Sequence, residues 1–95
     1  MSAYVLVDAD VTDPARYEEY RKLAPAAIAK YGGRYLVRGG ATKVREGAWQ
    51  PKRVVVLEFP DVAAAQRFYD SPEYGAARDT RAGAATMNIV VVEGL

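Results

Sequence analysis

The chain has 95 residues, 51% hydrophobic and 26% charged, with 13 Lys and Arg against 12 Asp and Glu for a formal charge of +1. That length predicts a single domain over residues 1–95 with one small core, since a chain of this size buries only about 60 to 65% of its unfolded surface. The basic residues are scattered among the acids, so no nucleic-acid partner is expected, and the composition is that of a globule rather than a disordered chain.

The sequence contains neither His nor Cys. Thiol redox chemistry, iron–sulfur ligation, the usual zinc sites and an axial histidine for haem are therefore excluded, as are Ser–His–Asp and Cys–His mechanisms. Any acid or base must be Asp, Glu, Tyr or Lys, tuned by its surroundings. Hard-cation sites built from carboxylates stay open, though no Asp/Glu cluster has the spacing of such a loop; no metal or cofactor is expected. The start MSAYVLVDAD has no basic stretch leading into a long apolar one, and no run approaches the roughly 18 apolar residues that span a bilayer. The reading is a cytoplasmic protein with no membrane partner.

In chain order, Ala3 to Ala9 (AYVLVDA) reads as a first strand, β-branched and too short for a helix. Thr12 or Asp13 caps the helix that follows, with Pro14 at its first position. Tyr17, Tyr20, Ala24, Ala27, Ile28 and Tyr31 form its apolar stripe. Pro25 lacks an N–H and its ring meets the Arg21 carbonyl, which predicts a kink or break; Gly32 then ends the helix in the left-handed conformation. A second strand runs from Arg34 to Arg38, and Gly39 and Gly40 let the backbone turn or bulge. Thr42 to Arg45 are expected to prolong it irregularly, with the turn at Glu46 and Gly47 and a third strand over Lys52 to Phe59. Pro60 and Asp61 open a second helix with Val62, Ala65, Phe68 and Tyr69 inward. Ser71, Pro72 and Glu73 repeat the cap-plus-proline signature of a helix start, and the last strand is Thr86 to Glu93.

The order β-α-β-β-α-β, with an extra turn before the final strand, is the α+β ferredoxin-like topology: a four-stranded antiparallel sheet with helices on one face. Val54 to Leu57 and Ile89 to Val92 are apolar on both strand parities, so both faces of the sheet should be covered. The helices cover one face, and a second copy meeting the other makes a homodimer.

The segments GGRYLVRGG (Gly32 to Gly40), GAWQP (Gly47 to Pro51), EFPD (Glu58 to Asp61), FYDSPEY (Phe68 to Tyr74) and the closing VVEGL together resemble the DUF1330 family of the dimeric α+β barrel superfamily. The resemblance implies a homodimer whose two sheets form a barrel with the helices outside. It carries no established activity, and fold analogy does not select one from a superfamily that includes cofactor-free monooxygenases, muconolactone-isomerase-like enzymes and haem proteins.

Arg38, just before the glycine pair, is the leading candidate for a carboxylate contact; the alternative is an ion pair with Asp8, Asp10 or Glu58. Arg78 and Arg81 lie on the third helix, and the family resemblance favours Arg81. Tyr20 and Tyr74 are the candidate phenols, set against a core role that Tyr17 shares. Trp49 covers a pocket mouth or packs on a partner. Ser71 opens a helix whose free N–H groups suit an anion, though capping explains it fully. Asp8 and Asp10 are candidates for a base, with solvation or pairing as the alternative. The functional expectation is a small aromatic or carboxylate-bearing ligand between helices and sheet, bound alone or turned over as by a cofactor-free isomerase or monooxygenase; a noncatalytic module is the alternative. RNA binding by the same strand order needs aromatic residues on an open sheet, and KRVVVLEF does not supply them.

Overall fold

The computed structural model describes all 95 residues. Its elements are β1 (Ala3–Val11), α1 (Pro14–Lys30), β2 (Arg34–Arg38), β3 (Val54–Phe59), α2 (Val62–Tyr69), α3 (Pro72–Thr80) and β4 (Ala85–Glu93). The strands form one antiparallel sheet in the order β2-β3-β1-β4. The predicted topology is thus the observed one, and no helix is long and apolar enough to cross a membrane.

Each helix starts where a short polar side chain meets the chain's free N–H groups. Asp13 accepts from the Arg16 amide at 3.2 Å, Asp61 from Ala64 at 2.7 Å and Ser71 from Tyr74 at 3.1 Å. Helix α1 closes through Gly32 at φ 82°. There the Gly33 and Gly32 amides donate back to the Ile28 and Ala29 carbonyls, the paired bonds of a Schellman cap.

Strand parity separates the two faces. Val5 lies between Leu57 and Val91, and Val7 between Val55 and Ile89, all facing the helices. Phe59 and Phe68, both fully buried, stack with centroids 5.0 Å apart, and Phe68 meets Tyr74 at 4.3 Å. Burying each such ring contributes about 1.5–3 kcal/mol. On the opposite parity, Leu6 pairs with Val56 and Val90, and Val37 with Val56. Leu6, Val37, Val90 and Val92 are exposed there, Val90 by 58%. One subunit therefore leaves an apolar sheet face open to water.

Three sequence expectations are corrected. Helix α1 is not broken at Pro25 but runs through it. Thr42 to Arg45 add no ladder to β2. Strand β3 begins at Val54 rather than Lys52, because the Lys52 and Arg53 amides donate to the Asp8 carboxylate, at 2.9 and 3.3 Å, rather than to a neighbouring strand. The same carboxylate accepts the Trp49 indole N–H at 2.9 Å, so Asp8 ties the long β2–β3 connection to the sheet.

Candidate functional site

Between α1, α2, α3 and the helix-facing side of the sheet lies a narrow cavity of about 30 Å³, room for one or two waters. Aliphatic residues of β1, β3 and β4 form its floor. Its polar lining is restricted to the phenols of Tyr17, Tyr20, Tyr35, Tyr69 and Tyr74 and the guanidiniums of Arg21, Arg38 and Arg53.

Four of the phenols come from inward-facing helix positions, and Tyr35 from β2. Tyr17 and Tyr20 sit one turn apart on α1, with rings 5.2 Å apart. Tyr74, in the first turn of α3, is 3% exposed, and its hydroxyl lies 2.6 Å from that of Tyr20. Burial above all, then the adjoining Tyr74, holds the Tyr20 hydroxyl far above the ordinary phenol range. Burial also raises Tyr17, against the opposing charges of Arg53 and Arg81, and raises Tyr35, against Arg38. These groups are protonated donors at neutral pH.

Arg38 and Arg53 are brought to the mouth by separate causes. Pro25 has no N–H for the Arg21 carbonyl, its partner four residues back; Arg38 Nη2 reaches that carbonyl instead, over a long 3.5 Å. The Arg38 head also lies over the Tyr35 ring, 4.6 Å from its centroid, a cation–π placement. A register shift between Tyr35 and Val37 sets Arg38 opposite Val55, on the helix-facing side. Arg53, at the entry to β3, lies against Gly39, whose φ of 74° and missing side chain leave room for it; a Cβ there would stand 2.8 Å from Arg53 Cζ. Arg21 pairs with Glu18 at 3.2 Å, whereas Arg38 and Arg53 form no ion pair. Tyr17, Arg21 and Arg53 also line an adjoining open cleft of about 410 Å³ that includes Asp10, Glu18 and Lys52.

Of the sequence candidates, the cavity brings together Tyr20, Tyr74 and Arg38. Arg81, which caps the end of α3, lies over the Tyr20 ring at 5.0 Å; burial opposes its charge, but Tyr74 and Tyr20 outweigh that and raise its pKa. Arg78 lies over Tyr69 at 4.4 Å. Trp49 is 67% exposed, bound to Asp8 in the β2–β3 connection and away from this cavity. The indole and the Lys52 amide hold the Asp8 carboxyl below its usual range, so Asp8 is an ionised anchor. Glu58 is engaged by Arg34 at 2.6 Å, leaving Arg38 without the predicted acidic partner. The Ser71 hydroxyl donates to the Phe68 carbonyl at 2.7 Å while accepting from Tyr74. Just beyond it Glu73 is engaged by Lys30 at 2.6 Å and Tyr31 at 2.7 Å, so that helix start is already supplied with an acid.

Sequence reasoning missed Arg53 and Arg21. For Arg53 the available signal was Gly39: a glycine at a strand end marks a close approach, and hairpin pairing places the start of β3 opposite it.

A ferredoxin-like α+β domain with a tyrosine-lined, arginine-rimmed cavity is the class of protein that fold and site define. The chain belongs to the family described as "Domain of unknown function (DUF1330)", whose profile matches residues 2–95. No functionally curated protein matches it. Among solved structures it is similar to RPA0582, a protein of unknown function from Rhodopseudomonas palustris, at 18% identity, TM-score 0.78, covering 99% of this chain and 82% of that one. It is also similar to a dimeric ferredoxin-like protein of unknown function from Jannaschia sp. CCS1, at 16% identity, TM-score 0.71 and 99% and 100% coverage. A third is SnoaB, a cofactor-independent oxygenase from Streptomyces nogalater, at 17% identity, TM-score 0.69 and 99% and 93% coverage. At these identities the likeness is one of fold.

Proposed function

We propose that the protein is a homodimer that binds a small carboxylate-bearing molecule, aromatic or aliphatic, in the open cleft of about 410 Å³ beside Arg53, at the mouth of the narrow cavity between the helices and the sheet of each subunit. The observation that carries the binding reading is the pair of guanidiniums without acidic partners, Arg38 and Arg53, at the mouth of an otherwise apolar, phenol-lined cavity. Positive charge held at the rim of a concave apolar site suits an anion with a hydrocarbon body. Arg81 supports the site by stacking on Tyr20. Thermal-shift and calorimetric titration with benzoate test the reading: wild type binds, and Arg38→Met and Arg53→Met each weaken binding with the dimer intact. Equal binding by wild type and both variants overturns it.

The dimer forms across the outer sheet face, where Leu6, Val37, Val90 and Val92 are exposed on one subunit; patches of that kind are uncommon on monomers. That the Jannaschia relative is dimeric supports this. A Val90→Lys variant should run as a monomer by light scattering, and a persistent dimer would place the interface elsewhere.

Binding without turnover is the reading the polar groups favour over an isomerase or oxygenase. No carboxylate lines the cavity, and burial drives Tyr20, Tyr17 and Tyr35 upward, so none of these is a base near neutral pH. Catalysis here would rest on the phenols as acids. Turnover of a bound acid that disappears in Tyr20→Phe would decide for the enzyme.

A further inference from the structure

The polar chemistry of the cavity is one-sided. Its lining has guanidiniums and phenols but no acid, amide or aliphatic hydroxyl side chain. Guanidiniums only donate. The Tyr20 and Tyr74 hydroxyls carry two protons between them, and the hydrogen bond they share at 2.6 Å uses one. Arg81, whose head lies over the Tyr20 ring and gives hydrogen bonds to both phenol oxygens, cannot take the second proton. One proton of this pair is therefore left for whatever enters, beside the hydroxyls of Tyr17, Tyr35 and Tyr69 nearer the rim.

We infer that the site selects a small acid carrying a second acceptor oxygen, a ketone or hydroxyl, with its carboxylate at Arg38 and Arg53 and the second oxygen on the spare proton of the Tyr20–Tyr74 pair. This rests on the binding reading above and adds the ligand's orientation and class. Shape agrees with the orientation. The narrow cavity takes the slender neutral end, while the wider cleft, where Arg21, Lys52 and Arg53 outnumber Asp10 and Glu18, keeps the carboxylate on its Arg53 side. Charge agrees with the class. The Nε atoms of Arg21 and Arg53 are already buried without a partner, so a neutral ligand covering the mouth would strand them and an amine would be repelled. The Tyr20 hydroxyl, held protonated by burial, is a donor at every working pH.

The test compares 4-oxopentanoate, pentanoate and 4-oxopentanamide by NMR titration at one ionic strength. The keto acid should bind about tenfold tighter than pentanoate, the worth of one hydrogen bond, and the amide should not bind. Arg53→Met should weaken both acids by tenfold or more. Tyr20→Phe/Tyr74→Phe should erase the keto preference and leave pentanoate unchanged. Each single Phe variant keeps one hydroxyl proton and should keep the preference. Equal binding of the two acids by wild type, or a keto preference that survives in the folded double variant, overturns the inference and leaves the anion site standing. Binding of the amide as tightly as the acids, or of neither acid, overturns both.

Discussion

Replacing Gly39 with Ala puts a methyl group where the Arg53 guanidinium lies. The new Cβ would overlap Arg53 Nη1 and stand 2.8 Å from its Cζ, against about 3.5 Å for ordinary contact, so the head group must move by roughly 1 Å or swing away. The obstacle is the end of a flexible side chain, and that displacement costs little. The backbone cost is separate: φ at Gly39 is 74°, and an L-residue in the left-handed region costs about 1–2 kcal/mol. For a domain this size each kcal/mol lowers Tm by about 4–8 °C, giving a loss of about 4 to 16 °C in a circular-dichroism melt at fixed concentration. Losing a hydrogen bond between charged groups costs about 1.5–3 kcal/mol, so benzoate binding should weaken about ten- to hundredfold. Gly40→Ala is the control. Nothing lies within 4 Å of its Cβ position and its φ is not positive, so melting should be unchanged or slightly higher and binding unaffected. A Gly39→Ala protein that melts lower yet binds benzoate as well as wild type would refute the role given to Arg53.

At Gly33 the obstacle is rigid: a Cβ would sit 2.5 Å from Phe59 Cε1 and 2.9 Å from Ile28 Cγ2, so Gly33→Ala overpacks the core by about 1–3 kcal/mol and lowers Tm more than Gly40→Ala does. Glu73 is held down to about 2 by Lys30 and Tyr31; with a depressed folded value, its contribution is present above the unfolded carboxylate range and fades as pH falls from 4.5 towards 2. Glu73→Gln should flatten that part of the stability–pH curve, which acid titration of unfolding would show. Asp8 is likewise depressed, first by the Trp49 indole, so its anchoring of the loop is lost as pH falls. Because Trp49 is the chain's single tryptophan, Asp8→Ala should change the intrinsic emission at neutral pH, and an identical spectrum would mean the indole is not held there.

The readable parts of the fold were those with local causes. Asp13-Pro14 and Ser71-Pro72 placed two helix starts because capping and proline geometry act within a few residues. Apolar residues on both parities of Val54 to Leu57 and Ile89 to Val92 signalled a sheet whose outer face is also apolar. The misreadings arose where a distant group took over a local one. Of the kink or break expected at Pro25, the break does not occur: the helix is continuous and Arg38, brought in by strand pairing, reaches the Arg21 carbonyl. Lys52 and Arg53 have strand-like neighbours but give their amides to Asp8. Arg53 was overlooked for the same reason, since its place depends on pairing across a long connection. Tyr20 and Tyr74 were chosen separately from their stripes, and only the packing of α1 on α3 brings their hydroxyls to 2.6 Å.

The most direct test of the anion site is native mass spectrometry of the dimer as purified and after adding benzoate, for wild type and Arg38→Met/Arg53→Met. The account predicts one small acid on each wild-type subunit, carried through purification or taken up on addition, and none on the variant. A bound amine or neutral molecule, an acid retained equally by the variant, or a wild-type dimer that takes up no acid at all would contradict it.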